Sequence, residues 1–569
     1  MLKIKIEYVM LLEMLIFILS PVAASNPTSI HISHPVYTYL ERMEALGYAE
    51  NLLDGIRPYS RAKVADILVE LDNKRDQLTP IDRQKLDEFL LDFRFEIRPD
   101  EKYYQTPENQ NWYSVLGSIS NIKSDVWRFF QRNQPEEENH VIIWEKEGNS
   151  FYMDYEQGLD YEKRSDAVYR SASWQNYQFR GTINSNFGYQ LEVSLQGLRG
   201  NDDDYIAEHP ILKGSWSQQK EDEPRYGDRT GGELALHTGY IDFHFAQQEV
   251  EWGHGESGKL ILSNNPEPYP YLSLEKEWGW GKFISLHGKL QSFPQDTLED
   301  GYQVYPDKWL AAHRLEFTIW KKVTFGFNEN YIYGNRYADW SYMIPFNFYR
   351  AVQHKLRDRD NATISIDLEY LLYAGIKVYG TVFLDEFKQN ELGTDWYGNK
   401  HAFLGGFYWV DPIGLNNTSL RFEYTAIMPW VYTHKYDINS YTTDYNSLGH
   451  WSGPNSEVYY VHLAKEWTRR LNTGIKFRQW KKGYNYDNEN IGGDILVGHG
   501  YLLGNQTQPR ETRKFLEGKL ATEKRYQIYF NYELWNDFYI SGGFNYIDLT
   551  VENKQDYLNE IFFGVKLQY

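Results

Sequence analysis

Two hydrophobic periods divide the chain. Between residues 34 and 97 apolar side chains recur at helical spacing. Val36, Leu40, Met43 and Leu46 predict a first helix that stops at Gly47. Ser60 is placed as the N-cap of a second, with Tyr59 and Val64 spaced for a hydrophobic staple and Val64, Ile67, Leu68 and Leu71 as its buried stripe. Thr79 and Pro80 open a third, which buries Leu86, Phe89, Leu90 and Phe93. From about residue 149 the period becomes two. Ile364, Ile366, Leu368 and Tyr370 alternate with Thr363, Ser365, Asp367 and Glu369, and Leu420, Phe422, Tyr424 and Ala426 alternate with Ser419, Arg421, Glu423 and Thr425. Such strands carry one apolar and one polar face. A soluble sandwich shares that pattern with a membrane barrel.

Three features select the barrel. Tight turns near 279, 321, 373, 413, 469 and 536 alternate with polar loops near 250–267, 293–308, 334–360, 388–399, 429–455 and 482–512, as short periplasmic turns and long outer loops do. Trp278, Trp280, Trp320, Tyr373, Trp409, Trp467 and Trp535 flank the tight turns, which sets a row of aromatics at one membrane interface. The chain ends Ile561, Phe563, Val565, Leu567, Tyr569 with mostly polar residues between, a terminal strand closing on an aromatic. The predicted fold is mainly β: a transmembrane antiparallel β-barrel of about 18 strands with a small N-terminal periplasmic α-helical bundle. One strand, within 203–230, is placed by parity alone. Ile366, Leu368, Phe422 and Phe530 are expected to face lipid, and changes at Asp367 or Glu423 to be mild.

Composition agrees with this reading. Aromatic residues make up 17% of the 569, with 48 Tyr and 18 Trp, yet the mean hydropathy is -0.64. A barrel reconciles the two, because half of every strand faces away from lipid. At the N-terminus Lys3 and Lys5 precede an apolar run from Tyr8 to Leu19 and then Val22-Ala23-Ala24, which predicts a signal peptide over 1–24. Domain boundaries follow: a periplasmic helical bundle over 25–97, a polar connector over 98–148 and the outer-membrane barrel over 149–569. With no cysteine there is no disulfide framework. A formal charge of -20 excludes nucleic acid as a partner.

No catalytic motif of weight is present, and neither cofactor nor metal is expected. Glu251-Trp252-Gly253-His254-Gly255-Glu256 brings two carboxylates and an imidazole together, a set suited to acid-base or metal chemistry. The preferred reading is a loop folded into the barrel mouth or lumen, its polar groups bonded to the inner wall. Arg336, Arg350, Arg357, Arg359, Asp358, Asp360, Asp385 and Glu386 form a charge-rich set. Two readings of it stay open: a site for an acidic or hydroxyl-rich sugar, or an ion-pair network in the lumen. Asp202-Asp203-Asp204 offers clustered oxygens for Ca²⁺, though an acidic surface loop is the preferred reading.

His34-Pro35-Val36-Tyr37, Arg57-Pro58-Tyr59-Ser60-Arg61-Ala62, Trp252-Gly253-His254-Gly255, Leu260-Ile261-Leu262-Ser263-Asn264-Asn265, Tyr333-Gly334-Asn335-Arg336, Asp360-Asn361 and Leu384-Asp385-Glu386 occur in this order. Together they resemble the Wzi-type capsule-assembly outer-membrane proteins. The resemblance implies an 18-stranded barrel with a periplasmic helical bundle, acting as a surface lectin for capsular or extracellular polysaccharide. Outer-membrane lipids are then partners, and polysaccharide export machinery a candidate one. The polysaccharide contacts are expected in an outer mouth built from the 334–360 loop with the 250–267 segment beneath, at Tyr333, Asn335, Arg336, Tyr337, Trp340 and Arg350. A supporting network of lumen and loop residues is expected from Glu251, Trp252, His254, Asn264, Asn265, Asp360, Asn361, Asp385 and Glu386. The rival functions are an outer-membrane channel for sugars or other solutes and a barrel-embedded hydrolase or lipid-modifying enzyme. The helical segment also resembles part of an S-layer-homology repeat around Gly55-Ile56-Arg57-Pro58, which implies a cell-wall polymer as ligand; a packed plug is the preferred reading.

Overall fold

The computed structural model describes residues 26–97 and 140–568 apart from positions 51, 147, 208, 210–224, 295, 298–300, 358, 387–388, 392 and 499–511. The signal segment, most of the connector and Asp358 therefore lie outside the described residues.

The helical segment folds into α1 (Val36–Ala45), α2 (Arg61–Asp72) and α3 (Pro80–Asp92). Both expected caps form: the Ser60 hydroxyl accepts from the Lys63 amide at 3.3 Å and that of Thr79 from the Asp82 amide at 3.1 Å, each satisfying an orphan donor of the first turn. Val36, Leu40, Met43, Tyr59, Val64, Leu68, Leu71, Leu86, Phe89 and Phe93 share one buried core.

Eighteen strands close the barrel, every pair antiparallel. In chain order they are β1 (Asn149–Arg164), β2 (Tyr169–Ile183), β3 (Phe187–Gly200), β4 (Arg225–His237), β5 (Asp242–Gln248), β6 (Tyr269–Trp278) and β7 (Gly281–Leu290). Next come β8 (Lys308–Ile319), β9 (Val323–Gly334), β10 (Asn361–Tyr373), β11 (Ile376–Glu386), β12 (Lys400–Val410) and β13 (Thr418–Ile427). The last are β14 (Ser456–Thr468), β15 (Leu471–Tyr484), β16 (Lys519–Trp535), β17 (Phe538–Val551) and β18 (Lys554–Gln568). The seam pairs β18 with β1, Gly564 opposite Asp160. The strand placed by parity within 203–230 overlaps β4 only from Arg225 to Thr230, since β4 runs on to His237 and Asp203–Ala207 is a short helix. Asp202 caps that helix through the Tyr205 amide at 2.8 Å and Asp203 pairs with Arg225 at 2.9 Å. Within the stretch read as connector, Ile142–Lys146 is a strand that folds back on β1.

Parity decides the two faces. Ile366, Leu368, Phe530 and also Phe327 stand exposed on the outside, where the apolar band meets lipid, and Phe422 there is half-buried. Asp367 and Glu423 point inward and are buried. Trp280, Trp320, Tyr373 and Trp467 stand exposed at the tight-turn end.

The bore is filled from both ends. At the tight-turn end the helices dock on the wall: Arg42 spans Asp82 and Asp411 at 3.0 Å each, and Arg421 reaches Glu41 at 2.9 Å. At the long-loop end the β5–β6 and β13–β14 connections turn inward. There Trp252, Leu260, Ile261 and Leu262 pack with Phe383, Leu404, Tyr432 and Tyr441 in a second buried core. The two plugs meet in a short ladder, Ile56 opposite Trp252 and Arg57 opposite Glu251. Gly255 lies in the left-handed region at φ 122°, and a Cβ there would stand 2.4 Å from the Gly258 carbonyl oxygen, so the inward turn requires glycine.

Candidate functional site

The expected lumen network exists in part, centred on a lysine the sequence did not single out. Lys377, at the foot of β11, is buried with its Nζ 2.8 Å from both Glu44 and Asp54 and 2.9 Å from Glu369. Burial pushes the Glu44 carboxyl up to about 7, with Asp54 adding to the effect and Lys377 opposing it. Burial acts in the same sense on Asp54, but Lys377, His254 and Arg57 hold that carboxyl well below the usual range. His254 faces Asp54 and Glu369 at 3.5 Å and Asp367 at 3.2 Å. Donor atoms of Asp54, His254 and Glu369 lie within 4.8 Å of one another, a spacing open to a cation. The Lys377 ammonium already supplies positive charge there and shares it among Glu44, Asp54 and Glu369. Beside it a cavity of about 510 Å³, lined by Arg42, Tyr379, Arg421 and His462 among others, separates bundle from wall.

A second charged group lies one strand pair away. Arg314 of β8 reaches across β9 to Asp367 of β10 with two bonds, 2.6 and 2.8 Å, and also holds Glu316 at 3.0 Å. Gly326 makes the crossing: a Cβ there would lie 2.4 Å from the Arg314 guanidinium and 2.5 Å from Asp367. The expectation that change at Asp367 or Glu423 is mild is therefore corrected. Asp367 neutralises a fully buried guanidinium, and Glu423 accepts from the Glu256 and Ser257 amides at 2.7 and 2.8 Å. At these two positions inward polarity means packed, paired side chains.

The remaining network residues disperse. Glu251 stands 3.9 Å from Arg57 and 3.6 Å from Lys259, and Trp252 is fully buried in the ladder. Asn265 donates to the Ser447 carbonyl at 3.0 Å, Asn361 to that of Asn439 at 2.9 Å, and Asp385 accepts from the Tyr432 amide at 2.6 Å. These bonds tie the inward loops to each other and to the wall. Asn264 is exposed, and Glu386 pairs with Lys400 at 3.0 Å.

The 334–360 loop was expected to form the mouth. Its base does sit at the rim. Asn335 takes a left-handed conformation, Arg336 forks onto Asp360 at 2.7 and 2.8 Å, and its guanidinium lies 4.5 Å from the centre of the Tyr333 ring. Tyr333 is buried, its hydroxyl accepting from the Asp339 amide at 2.9 Å. Tyr337 and Trp340 project, 88% and 79% exposed. Beyond Trp340 the chain does not roof the mouth. It descends the outer wall, where the Arg350 amide donates to Glu329 at 3.1 Å, two positions below Tyr331 on β9. The six expected contact residues thus divide: Asn335, Arg336, Tyr337 and Trp340 at the rim, Tyr333 beneath them, Arg350 lower on the outside. The physical reason is that Tyr331, Tyr333, Tyr342 and Tyr349 form their own apolar cluster on the outward face.

The family model for the capsule assembly protein Wzi matches residues 154–560. The chain belongs to the Wzi capsule assembly family. No curated protein matches the sequence at a significant level. Among solved structures, one described as Wzi, an outer membrane protein involved in group 1 capsule assembly in Escherichia coli and a carbohydrate-binding β-barrel, covers 95% of this chain and 99% of its own, with TM-score 0.54 and 11% identity. OprD from Pseudomonas aeruginosa covers 74% of this chain and 94% of its own, with TM-score 0.43 and 8% identity. OpdK from the same organism, solved with vanillate, has TM-score 0.42 and 8% identity over 74% of this chain and 98% of its own. The family fold is an outer-membrane β-barrel.

Proposed function

We propose that this chain is a non-enzymatic surface protein that holds exported capsular or extracellular polysaccharide on its outward loops. The carrying observation is a set of exposed aromatic faces at the long-loop end, Tyr302, Tyr305, Tyr337, Trp340 and Tyr445, above a bore that its own segments fill. Aromatic faces cover the apolar C–H surfaces of sugar rings. Contacts of this kind are weak singly, and avidity along a repeating polymer multiplies them. In this reading Arg336 and Asp360 hold the base of the loop so that Tyr337 and Trp340 present their rings. Residues 1–24 direct export, and the helical unit faces the periplasm.

Replacing Tyr337 and Trp340 together with Ala is expected to release polymer from cells severalfold while the heat-modifiable barrel band in outer membranes keeps its intensity. Retention equal to the parent's, with unchanged binding of purified polymer, removes this rim from the reading. Conductance in planar bilayers tests the channel alternative. Deleting 26–97 leaves the β5–β6 and β13–β14 plugs in place, so both the parent and that variant are expected to conduct far below an open porin.

A further inference from the structure

On the outward face of β7, β8 and β9, apolar and polar rows follow one another. Phe283, Leu315, Phe327 and Ile366 are register partners across four strands, and the last three stand exposed in the lipid-facing band. Two residues further toward the outer end, about 7 Å along the strand, the same wall carries Ser285, His313 and Glu329. His313 and Glu329 pair at 2.8 Å. Polar, ionisable side chains facing acyl chains are costly, yet Glu329 is only 2% exposed.

The descending loop covers it. The Tyr349 ring stacks on His313 with centroids 4.2 Å apart and planes 12° from parallel. Glu329 accepts from the Arg350 amide and from the Tyr331 hydroxyl, each at 3.1 Å. Phe346 stacks on Phe283 at 5.2 Å, which brings the loop down to the apolar row. The covering segment then turns an apolar face outward, with Ile344, Phe346 and Phe348 exposed by 54%, 76% and 62%. Following these, Arg350, Lys355, Arg357 and Arg359 are all exposed, and none has an ion-pair partner among the described residues. Four exposed cations within ten residues, with no ion-pair partner among the described residues, stand out on a chain of net charge -20.

We propose that residues 340–357 form a strap embedded in the outer leaflet, with Ile344, Phe346 and Phe348 among the acyl chains and Arg350, Lys355, Arg357 and the following Arg359 bound to the phosphates of an anionic lipid. Two observations select lipid over other occupants. The apolar face is continuous with the lipid-facing row of the barrel, and an apolar surface followed by unpaired Lys and Arg is the arrangement of segments that lie in a membrane interface. Long basic side chains carry their charge to headgroup depth while their stems stay in the apolar layer. The strap also explains how a His–Glu pair persists on a lipid-facing wall.

The absence of native cysteine makes the test direct. Full-length protein carrying Phe346→Cys, Phe348→Cys or, as a rim control, Tyr337→Cys is labelled with bimane and reconstituted into phosphatidylcholine vesicles. Only variants that keep heat-modifiable mobility are read. Doxyl-labelled lipid is expected to quench the labels at 346 and 348 and iodide to spare them, with the reverse at 337. Iodide quenching at 346 equal to that at 337 overturns the proposal, as does self-quenching that rises with protein density, which makes a second copy the occupant. Adding phosphate-bearing lipid A to the vesicles is expected to slow exchange of lipid at the strap. The variant R350Q/K355Q/R357Q/R359Q should lose that effect, while dephosphorylated lipid A gives none with either protein. Equal retention by parent and variant overturns the phosphate assignment.

Discussion

Strand β10 passes through two environments at once. Ile366 and Leu368 stand in the apolar exterior, while Asp367 and Glu369, their immediate neighbours, are buried against Arg314 and Lys377. In a water-soluble protein the apolar face would be the interior and the charged face the surface. Here the charged face is the interior and the apolar one meets lipid. The two faces therefore fail differently: the outside through solvation by lipid, the inside through loss of a partner.

The largest expected effect is on the inside. Asp367→Ala leaves the Arg314 guanidinium buried without its main partner, and removing one member of a buried pair costs about 3–5 kcal/mol; the heat-modifiable transition and the urea midpoint of refolded protein should both fall. Arg314→Leu with Asp367→Leu and Glu316→Gln together should restore much of that loss, since the whole buried triad contributes little relative to apolar packing once no member is left charged and unpaired. On the outside, Ile366→Arg is expected to cost about 2–4 kcal/mol if the position lies near mid-membrane, measured by refolding into vesicles. Equal damage from Ile366→Arg in vesicles and in a water-soluble amphipol would break the comparison, because the cost is attributed to lipid.

The smallest effect belongs to pH. The Glu44 carboxyl is pushed up to about 7 in the docked bundle, above its ordinary value. Its contribution to docking is complete below the ordinary carboxylate range and is lost as pH rises through about 7. A spin label at Val69→Cys should accordingly gain mobility as pH rises from about 4.5 to about 7.5, with little further change above, and Glu44→Gln should flatten that response. Asp54, held low by Lys377, His254 and Arg57, acts in the opposite sense and releases only as pH falls below the ordinary carboxylate range.

Strand placement was legible because a period of two is written residue by residue: alternation named Ile366 as outward and Asp367 as inward. The tight turns were legible from the aromatic residues that flank them. What alternation cannot carry is identity of partners. Arg314 and Asp367 lie 53 positions apart, and only their common level on the wall, with Gly326 between them, makes them a pair. Lys377 escaped notice for the same reason, since three of its carboxylates come from another part of the chain. Loop paths were less legible still. The glycines of 253–258 signalled an unusual turn, and that segment does enter the bore. The 334–360 loop reads as polar and outward, yet its Tyr342 and Tyr349 build an apolar cluster with Tyr331 and Tyr333 on the outside of β9.

The Arg314 crossing has a mechanical consequence. Neighbouring strands of a barrel are joined edge to edge by ladder bonds, and a barrel widens or flattens by small hinge motions at those edges. A side chain that skips a strand and grips the next one, as Arg314 does over Gly326, acts as a stitch across two hinges at once. Breathing of the bore in the β8–β10 sector must stretch that stitch, so this arc of the circumference is stiffened against changes in curvature, beneath the rim from which the loop descends.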